Sequence, residues 1–409
     1  MFAAAALLAA DLAATLDLSD RSEARLRSTQ TTAAGSPPPT IGFDFFTEPN
    51  ARLHANDRRW DLTLVYDLSF LAPDLEQGFS PLALQTGSAG VAWHDQRLRL
   101  TLTEDATYGL QNSAYLSTTA PISTPATGVP PTILATVPPT TLLYGSTRTA
   151  IAASDRVDRY TTLTLGAEYF IVGGLDTASQ AVLPQQFGER ALVTVDTRLS
   201  RSDLLTTAAT AQHVDFSKTA ACVGAPGEVV NTSILCQPSD ELAQVVERLQ
   251  HTLSRTETFT VGIGSAVSAI REQSNTSYHY AYYPVAEATY TDQPDRQGRL
   301  VLSARLAPYI DPRTGVVLNA LIGDATFSDR LTHPVTLTVA AGASQNLPTG
   351  DPAAASILRA EVGVEYRFTP ELAVAVGERA FWENENGLGN FVTTLGYVAV
   401  TVREPTLRF

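Results

Sequence analysis

Three features of the sequence predict an all-β protein, a transmembrane antiparallel β-barrel of about eighteen strands, with sixteen as the alternative count. Apolar and polar residues alternate with a period of two in most segments. Tight polar turns alternate along the chain with generally longer connections. The hydrophobic share is 44% and the mean hydropathy is near zero, yet no stretch approaches the roughly twenty apolar residues of a membrane-spanning helix. A barrel produces such an average, because each lipid-facing side chain alternates with a polar one facing the lumen.

The alternation is explicit in several segments. Leu62, Leu64, Tyr66, Leu68 and Phe70 fall on one face, and Asp61, Thr63, Asp67 and Ser69 on the other. Leu98, Leu100 and Leu102 oppose Arg97, Arg99 and Thr101; Leu300, Leu302 and Leu306 oppose Arg299, Ser303 and Arg305. Val362, Val364, Tyr366 and Phe368 oppose Arg359, Glu361, Glu365 and Arg367. A β-sandwich with one solvated face would alternate too, so the connections decide. Short turns lie near Asn56, His94, Arg156, Arg201, Arg255, Asp292, Arg330 and Thr369. Between them run longer or Gly/Pro-rich stretches at 115–141, 175–187, 218–242, 347–353 and 385–389, with short connections only near Pro37, Asn275 and Arg313. This parity puts the turns in the periplasm and the loops outside, and it requires a strand before Ile41, which 22–34 supplies.

One barrel domain over 22–409 follows, preceded by 1–21 as a residual signal peptide or N-terminal tail. The run from Phe2 to Ala10 has the length of a signal-peptide core but lacks a basic start. Trp60, Trp93 and Tyr160 beside the turns, and Tyr278, Tyr280, Tyr282 and Tyr290 on one face of a later strand, suit two interfacial girdles. The terminal Phe409 resembles the signal read by the barrel assembly machinery, although Pro405 interrupts the last residues. Cys222 and Cys236 flank one loop and are expected to form a disulfide, contributing about 3 kcal/mol in an oxidising compartment.

Composition excludes some classes. The net charge of -14 argues against a nucleic-acid partner. The histidines His54, His94, His213, His251, His279 and His333 are dispersed, without a metal-ligand spacing, so neither metal nor cofactor is expected. Gly262-Ile263-Gly264-Ser265 resembles a glycine-rich loop or nucleophile elbow but lies inside an alternating strand, where glycine makes room for a close neighbour. No catalytic constellation emerges, and the protein is not expected to be an enzyme.

What the pattern offers is a lumen wall. The alternation points Arg97, Arg99, Arg190, Arg198, Arg299, Arg305, Arg359 and Arg367 inward, together with Asp61, Asp67, Asp105, Glu168, Asp196, Glu361 and Glu365. Facing lipid near the midplane, arginines would cost about 2 to 4 kcal/mol each and acids less. A solvated wall of mutual ion pairs explains them, and so does a polar conduit along which a hydrophilic solute slides without a deep well.

The segment from Gly173 to Asp203, with the phrases around Arg59-Trp60 and Arg97-Leu98-Arg99-Leu100, resembles myxobacterial outer-membrane β-barrel proteins of the Wzp polysaccharide-export type. The resemblance is one of pattern over most of the chain. It implies an eighteen-stranded barrel that carries a polysaccharide across the outer membrane beside a periplasmic Wza-type export protein, and it assigns no binding residue. The sequence shows no TPR- or POTRA-type segment and no plug pattern, so docking to a partner would fall to the short turns. The competing expectations are a general or substrate-selective porin for small hydrophilic solutes, with the loop at 115–141 folded inward, and a surface adhesion or structural barrel.

Overall fold

The computed structural model describes residues 13–31, 38–73, 75, 82–112, 141–217, 239–271, 278–294, 298–310, 317–347, 355–385 and 389–408. All but Thr141 of the loop expected at 115–141, together with Cys222, Cys236 and Phe409, lies outside the described residues.

The chain forms a closed antiparallel barrel of 18 strands, each paired with its neighbours in sequence. The strands are β1 (Ala13–Thr31), β2 (Thr40–Asn56), β3 (Trp60–Ala72), β4 (Leu82–His94), β5 (Leu98–Asn112), β6 (Thr141–Arg156), β7 (Thr161–Gly174), β8 (Gln186–Arg198) and β9 (Asp203–Phe216). They continue as β10 (Ser239–Thr252), β11 (Glu257–Arg271), β12 (Tyr278–Asp292), β13 (Arg299–Ile310), β14 (Val317–Thr332), β15 (Val335–Leu347), β16 (Ala355–Arg367), β17 (Leu372–Glu385) and β18 (Gly389–Arg403). Closure comes from β1, which pairs with β2 on one edge and with β18 on the other, from Ser19 opposite Arg403 to Thr31 opposite Phe391. A two-residue β19 (Leu407–Arg408) extends this seam against Thr15 and Leu16.

The first strand starts at Ala13, nine residues before the Ser22 expected from the sequence, so 13–21 is wall and not tail. Leu16 and Leu18 sit opposite Leu53 and Ala51 of β2. Their alternation is masked in the sequence by the alanine-rich run just before it. The long connection after β7 also contains an unexpected helix, α1 (Thr177–Val182). Asp176 caps it by accepting a bond from the Ser179 amide at 2.7 Å, and the Ser179 hydroxyl accepts one from the Leu143 amide at 2.8 Å. Gly173, at φ 146, is where the chain leaves β7 for this helix, in a backbone conformation that favours glycine.

The turn end of the barrel is built by one repeated device. Asp57, Asp95 and Asp158 each accept two backbone bonds, from the residues two and three ahead: Arg59 and Trp60 at 2.6 and 2.7 Å, Arg97 and Leu98 at 2.8 and 3.0 Å, Tyr160 and Thr161 at 2.6 and 2.8 Å. Ser200, Ser254 and Thr369 do the same with their hydroxyls. Such side-chain caps hold a tight reversal where no ladder exists.

The ladder between β12 and β13 is incomplete at the opposite end. Pairing runs from Asp292 opposite Leu300 to Ala286 opposite Leu306 and stops there. Continuing that register sets Pro284 opposite Pro308. Neither has an N–H to donate, so the ladder cannot continue through them.

The bonds from the Arg59, Arg97 and Tyr160 amides, followed by those from Trp60, Leu98 and Thr161, hold the three turn aspartates below the usual carboxylate range. A depressed folded-state pKa contributes stability that is present above the ordinary carboxylate range and is lost as pH falls through the lowered value. Replacing Asp57, Asp95 and Asp158 together by Ser is expected to preserve the barrel at neutral pH and to flatten its acid-induced loss of stability. Urea unfolding of both proteins between neutral pH and pH about 3 checks this; parallel pH curves would refute it.

The candidate functional site is the inner wall

Register assigns most strands a polar or charged face and an oily face. The oily face carries Leu100, Leu102, Ile151, Leu165, Val193, Ile263 and Val376, all exposed, and therefore points outward into lipid. The opposite face of each strand, which carries most of the charges, then lines the interior. Cross-strand partners share a face, so each sequence-predicted residue can be placed.

On β5 to β8, Asp105 lies opposite Arg148, and Glu168 opposite Arg190. Arg148 also donates to Glu168 at 2.7 Å. Five strands further on, Arg305 lies opposite Glu287, which receives the Arg248 guanidinium. Arg190 and Arg305 lie within electrostatic range of one another, although they belong to β8 and β13. This wall therefore holds Arg148, Arg190, Arg248 and Arg305 against Asp105, Glu168 and Glu287.

A second constellation lies around the seam. Along β1 the carboxylate of Glu23 accepts from Arg21 at 2.8 Å and Arg25 at 2.7 Å, and Arg379 of β17 reaches it at 3.4 Å. Arg379 also donates to Glu361 at 3.1 Å and stacks 4.5 Å from the Tyr397 ring centroid, while the Tyr397 hydroxyl donates to Glu361 at 3.3 Å. Arg25, only 1% exposed, covers the Phe46 ring at 4.0 Å, and Arg27 donates to the buried Asp44 at 3.0 Å. Arg359 donates to Asp324 at 2.6 Å and Arg367 to Glu365 at 3.2 Å. Asp67 accepts from the Asn50 amide, and Asp196 from Thr206 at 2.5 Å. Arg97 and Arg99, with Asp61 and His94, line a recess of about 440 Å³ at the turn end. Arg198 and Arg299 share the inward face by register, opposite Leu204 and Ser328, and are not part of either constellation.

Glycines make room for these pairs. A Cβ on Gly262 would stand 2.7 Å from the Glu287 Cγ, and one on Gly342 2.5 Å from the Arg359 Nε. The Gly262 to Ser265 segment lies within β11 and spaces a charge pair; it is not a loop.

Sequence reasoning missed Arg21, Glu23, Arg25, Arg27, Asp44, Arg148, Arg248, Glu287, Asp324 and Arg379. The signal for Arg21 to Arg27 was present as alternating charge, but that strand was read as weakly patterned. Arg248 and Glu287 are identified only by pairing between strands. Sequence reasoning also did not single out acids on the oily face. Glu104, Glu247 and Glu378 lie there, exposed, in mid-strand. Asp20 shares that face, where its carboxylate accepts from Thr47 at 2.9 Å and Ser22 at 3.1 Å. Acids on a lipid-facing surface cost less than arginine or lysine. On the inward face of β10, Asp240 is fully buried, and neither of its oxygens has a hydrogen-bond partner among the described residues.

A closed barrel with an oily exterior and an ion-paired interior is an integral outer-membrane β-barrel protein. No family model matches the chain, and no curated protein matches it. Among solved structures it is similar to the FrpB iron transporter from Neisseria meningitidis: the F5-1 variant at TM-score 0.51 and 10% identity over 90% of this chain and 63% of that one, and the F3-3 variant at 0.50 and 11% over 91% and 62%. The chain thus spans less than two thirds of FrpB. It is also similar to the outer membrane protein OpdK from Pseudomonas aeruginosa, at TM-score 0.48 and 10% identity over 96% of this chain and 99% of that one. At such identities the likeness concerns the fold.

Glu23 is the shared carboxylate of three guanidiniums inside the wall, those of Arg21, Arg25 and Arg379. Its replacement by Ala is expected to cost about 3 to 5 kcal/mol, because the buried Arg25 loses the carboxylate it donates to and keeps only the neighbouring Asp44. Removing Glu365, whose partner Arg367 is 40% exposed, is expected to cost under about 1 kcal/mol. Urea-unfolding midpoints of the two variants check the contrast; equal losses would contradict it.

Proposed function

We propose that the barrel is a porin, a passive outer-membrane channel for small hydrophilic solutes. The supporting observation is the inner wall. Its charges are largely matched in pairs around the circumference, Arg148 with Glu168, Arg248 with Glu287, Arg359 with Asp324 and Arg379 with Glu361. A wall of this kind stays hydrated and offers many shallow contacts in place of one deep well, as passage requires. Both signs are present, so a weak preference between ions follows. Export of a polysaccharide beside a periplasmic factor rests on the pattern resemblance alone, and among the described residues no feature of the wall favours a polymer over a small solute. The similarity to FrpB supports transport in general and identifies no solute.

The purified protein in planar bilayers is expected to give ohmic conductance with a reversal potential near zero in a salt gradient. Replacing Arg248 and Arg305 by Glu is expected to shift the reversal potential toward cations. A strain lacking the gene is expected to keep its surface and secreted polysaccharide. Loss of one polymer from an intact envelope, with no conductance from the pure protein, would instead support the export reading.

A further inference from the structure

The interruption between β12 and β13 has a counterpart inside the barrel. Above the last pair, Ala286 with Leu306, the outer ends of β13 and β14 remain paired to each other, from Leu306 opposite Leu321 to Ile310 opposite Val317. Having left β12, this hairpin end stays tied to β15, through Asn319 opposite Leu347, Ala320 opposite Asn346 and the Tyr309 hydroxyl donating to Asn346 at 3.0 Å, and packs inward. Ala307 and Val317 are buried in one apolar cluster with Leu242 and Val246 of β10, Ala266 of β11, and Tyr283 and Val285 of β12. The Tyr283 hydroxyl donates to the Val317 carbonyl at 3.4 Å and accepts from Ser268 at 3.5 Å, both within buried surroundings. Tyr282, on the outward face of β12 beside the missing ladder, is 82% exposed.

Leu242, Val246 and Ala266 belong to the inward faces of their strands, alternating with the exposed Val245 and Ile263 outside. A hairpin end resting on them therefore lies in the lumen. We infer that the outer end of β13–β14, Ala307–Ile310 with Val317–Leu318, is a gate that keeps its tie to β15 at Asn319 and Ala320 and folds from the wall into the passage about the opposed Pro284 and Pro308. The prolines matter because a continuous ladder would hold the hairpin in the wall; their missing donors lower what the folded-in position forfeits. The apolar cluster and the Tyr283 hydroxyl supply what holds it there. Two packings of one element that differ by a few kcal/mol make a two-state switch.

The gate rests on the channel reading for its conductance readout only, and a second readout is independent of current. With Cys222→Ser and Cys236→Ser in every protein compared, a single cysteine at Ala266 lies beneath the hairpin end and reports its position to a membrane-impermeant maleimide. In the otherwise native protein it is expected to react slowly. Pro284→Val with Pro308→Val restores two donors and is expected to speed labelling about tenfold, a shift of about 1.4 kcal/mol toward the open form. Tyr283→Phe leaves the ladder as it is, and is expected to speed labelling less. Conductance should rise in the same order. Rapid labelling in the native background, or equal rates in all three proteins, overturns the gate; so does faster labelling with unchanged conductance in a conducting protein. Absence of current from every protein would refute the channel reading, and the labelling rates would then decide whether the hairpin moves.

Discussion

The structure depends on one constraint: inside a bilayer no backbone N–H or C=O can be left to water, so a sheet must close on itself. The β1–β18 seam meets that requirement. Its register extends from Ser19 opposite Arg403 to Thr31 opposite Phe391, while β1 continues below it against β2 and β19. Because β1 is held on both edges, its inward face is fixed relative to both ends of the chain. That is why Glu23 of the first strand can accept from Arg379 of the seventeenth. The charge network at the seam is thus a consequence of closure, and removing a charge there perturbs the one junction that no hairpin turn secures.

Closure also explains how the interior is used. With period two, every strand must send half its side chains inward, and eighteen strands enclose a space wide enough that these need not form an oily core. The inward residues are instead long, charged and mutually paired. Where two long side chains converge, the facing position is glycine, as at Gly262 beside Glu287 and Gly342 beside Arg359. The apolar cluster under the β13–β14 end is one of three buried apolar clusters among the described residues, and it lies where the ladder itself fails. Backbone pairing and inward packing are alternatives there, and Pro284 and Pro308 tilt the choice.

Most of the wall was legible in the sequence because parity is a local property. Leu62, Leu64 and Tyr66 against Asp61, Thr63 and Asp67 define a strand and its faces without knowledge of any partner. The turns were legible too, although their shared construction was not: Asp57, Asp95, Asp158, Ser200, Ser254 and Thr369 differ in residue type but use one oxygen in the same way. Partner identity was not legible. That Arg148 meets Glu168 across β6 and β7, or that Arg248 meets Glu287 across β10 and β12, depends on register, which shifts whole faces when it slips by one residue. The start of β1 was hidden for a different reason. Leu16 and Leu18 follow an alanine run that alternates with nothing.

The acids on the oily face show where parity reasoning ends. Glu104, Glu247 and Glu378 obey the register of their strands yet oppose the chemistry expected of that face. A sequence rule that sorts charges inward suits the arginines, which are costly on a lipid-facing surface, and is weaker for carboxylates, which cost less there. The asymmetry between the two charge types on the outer surface is therefore physical. Arginine position reads out the lumen, whereas carboxylate position does so only where an arginine stands opposite.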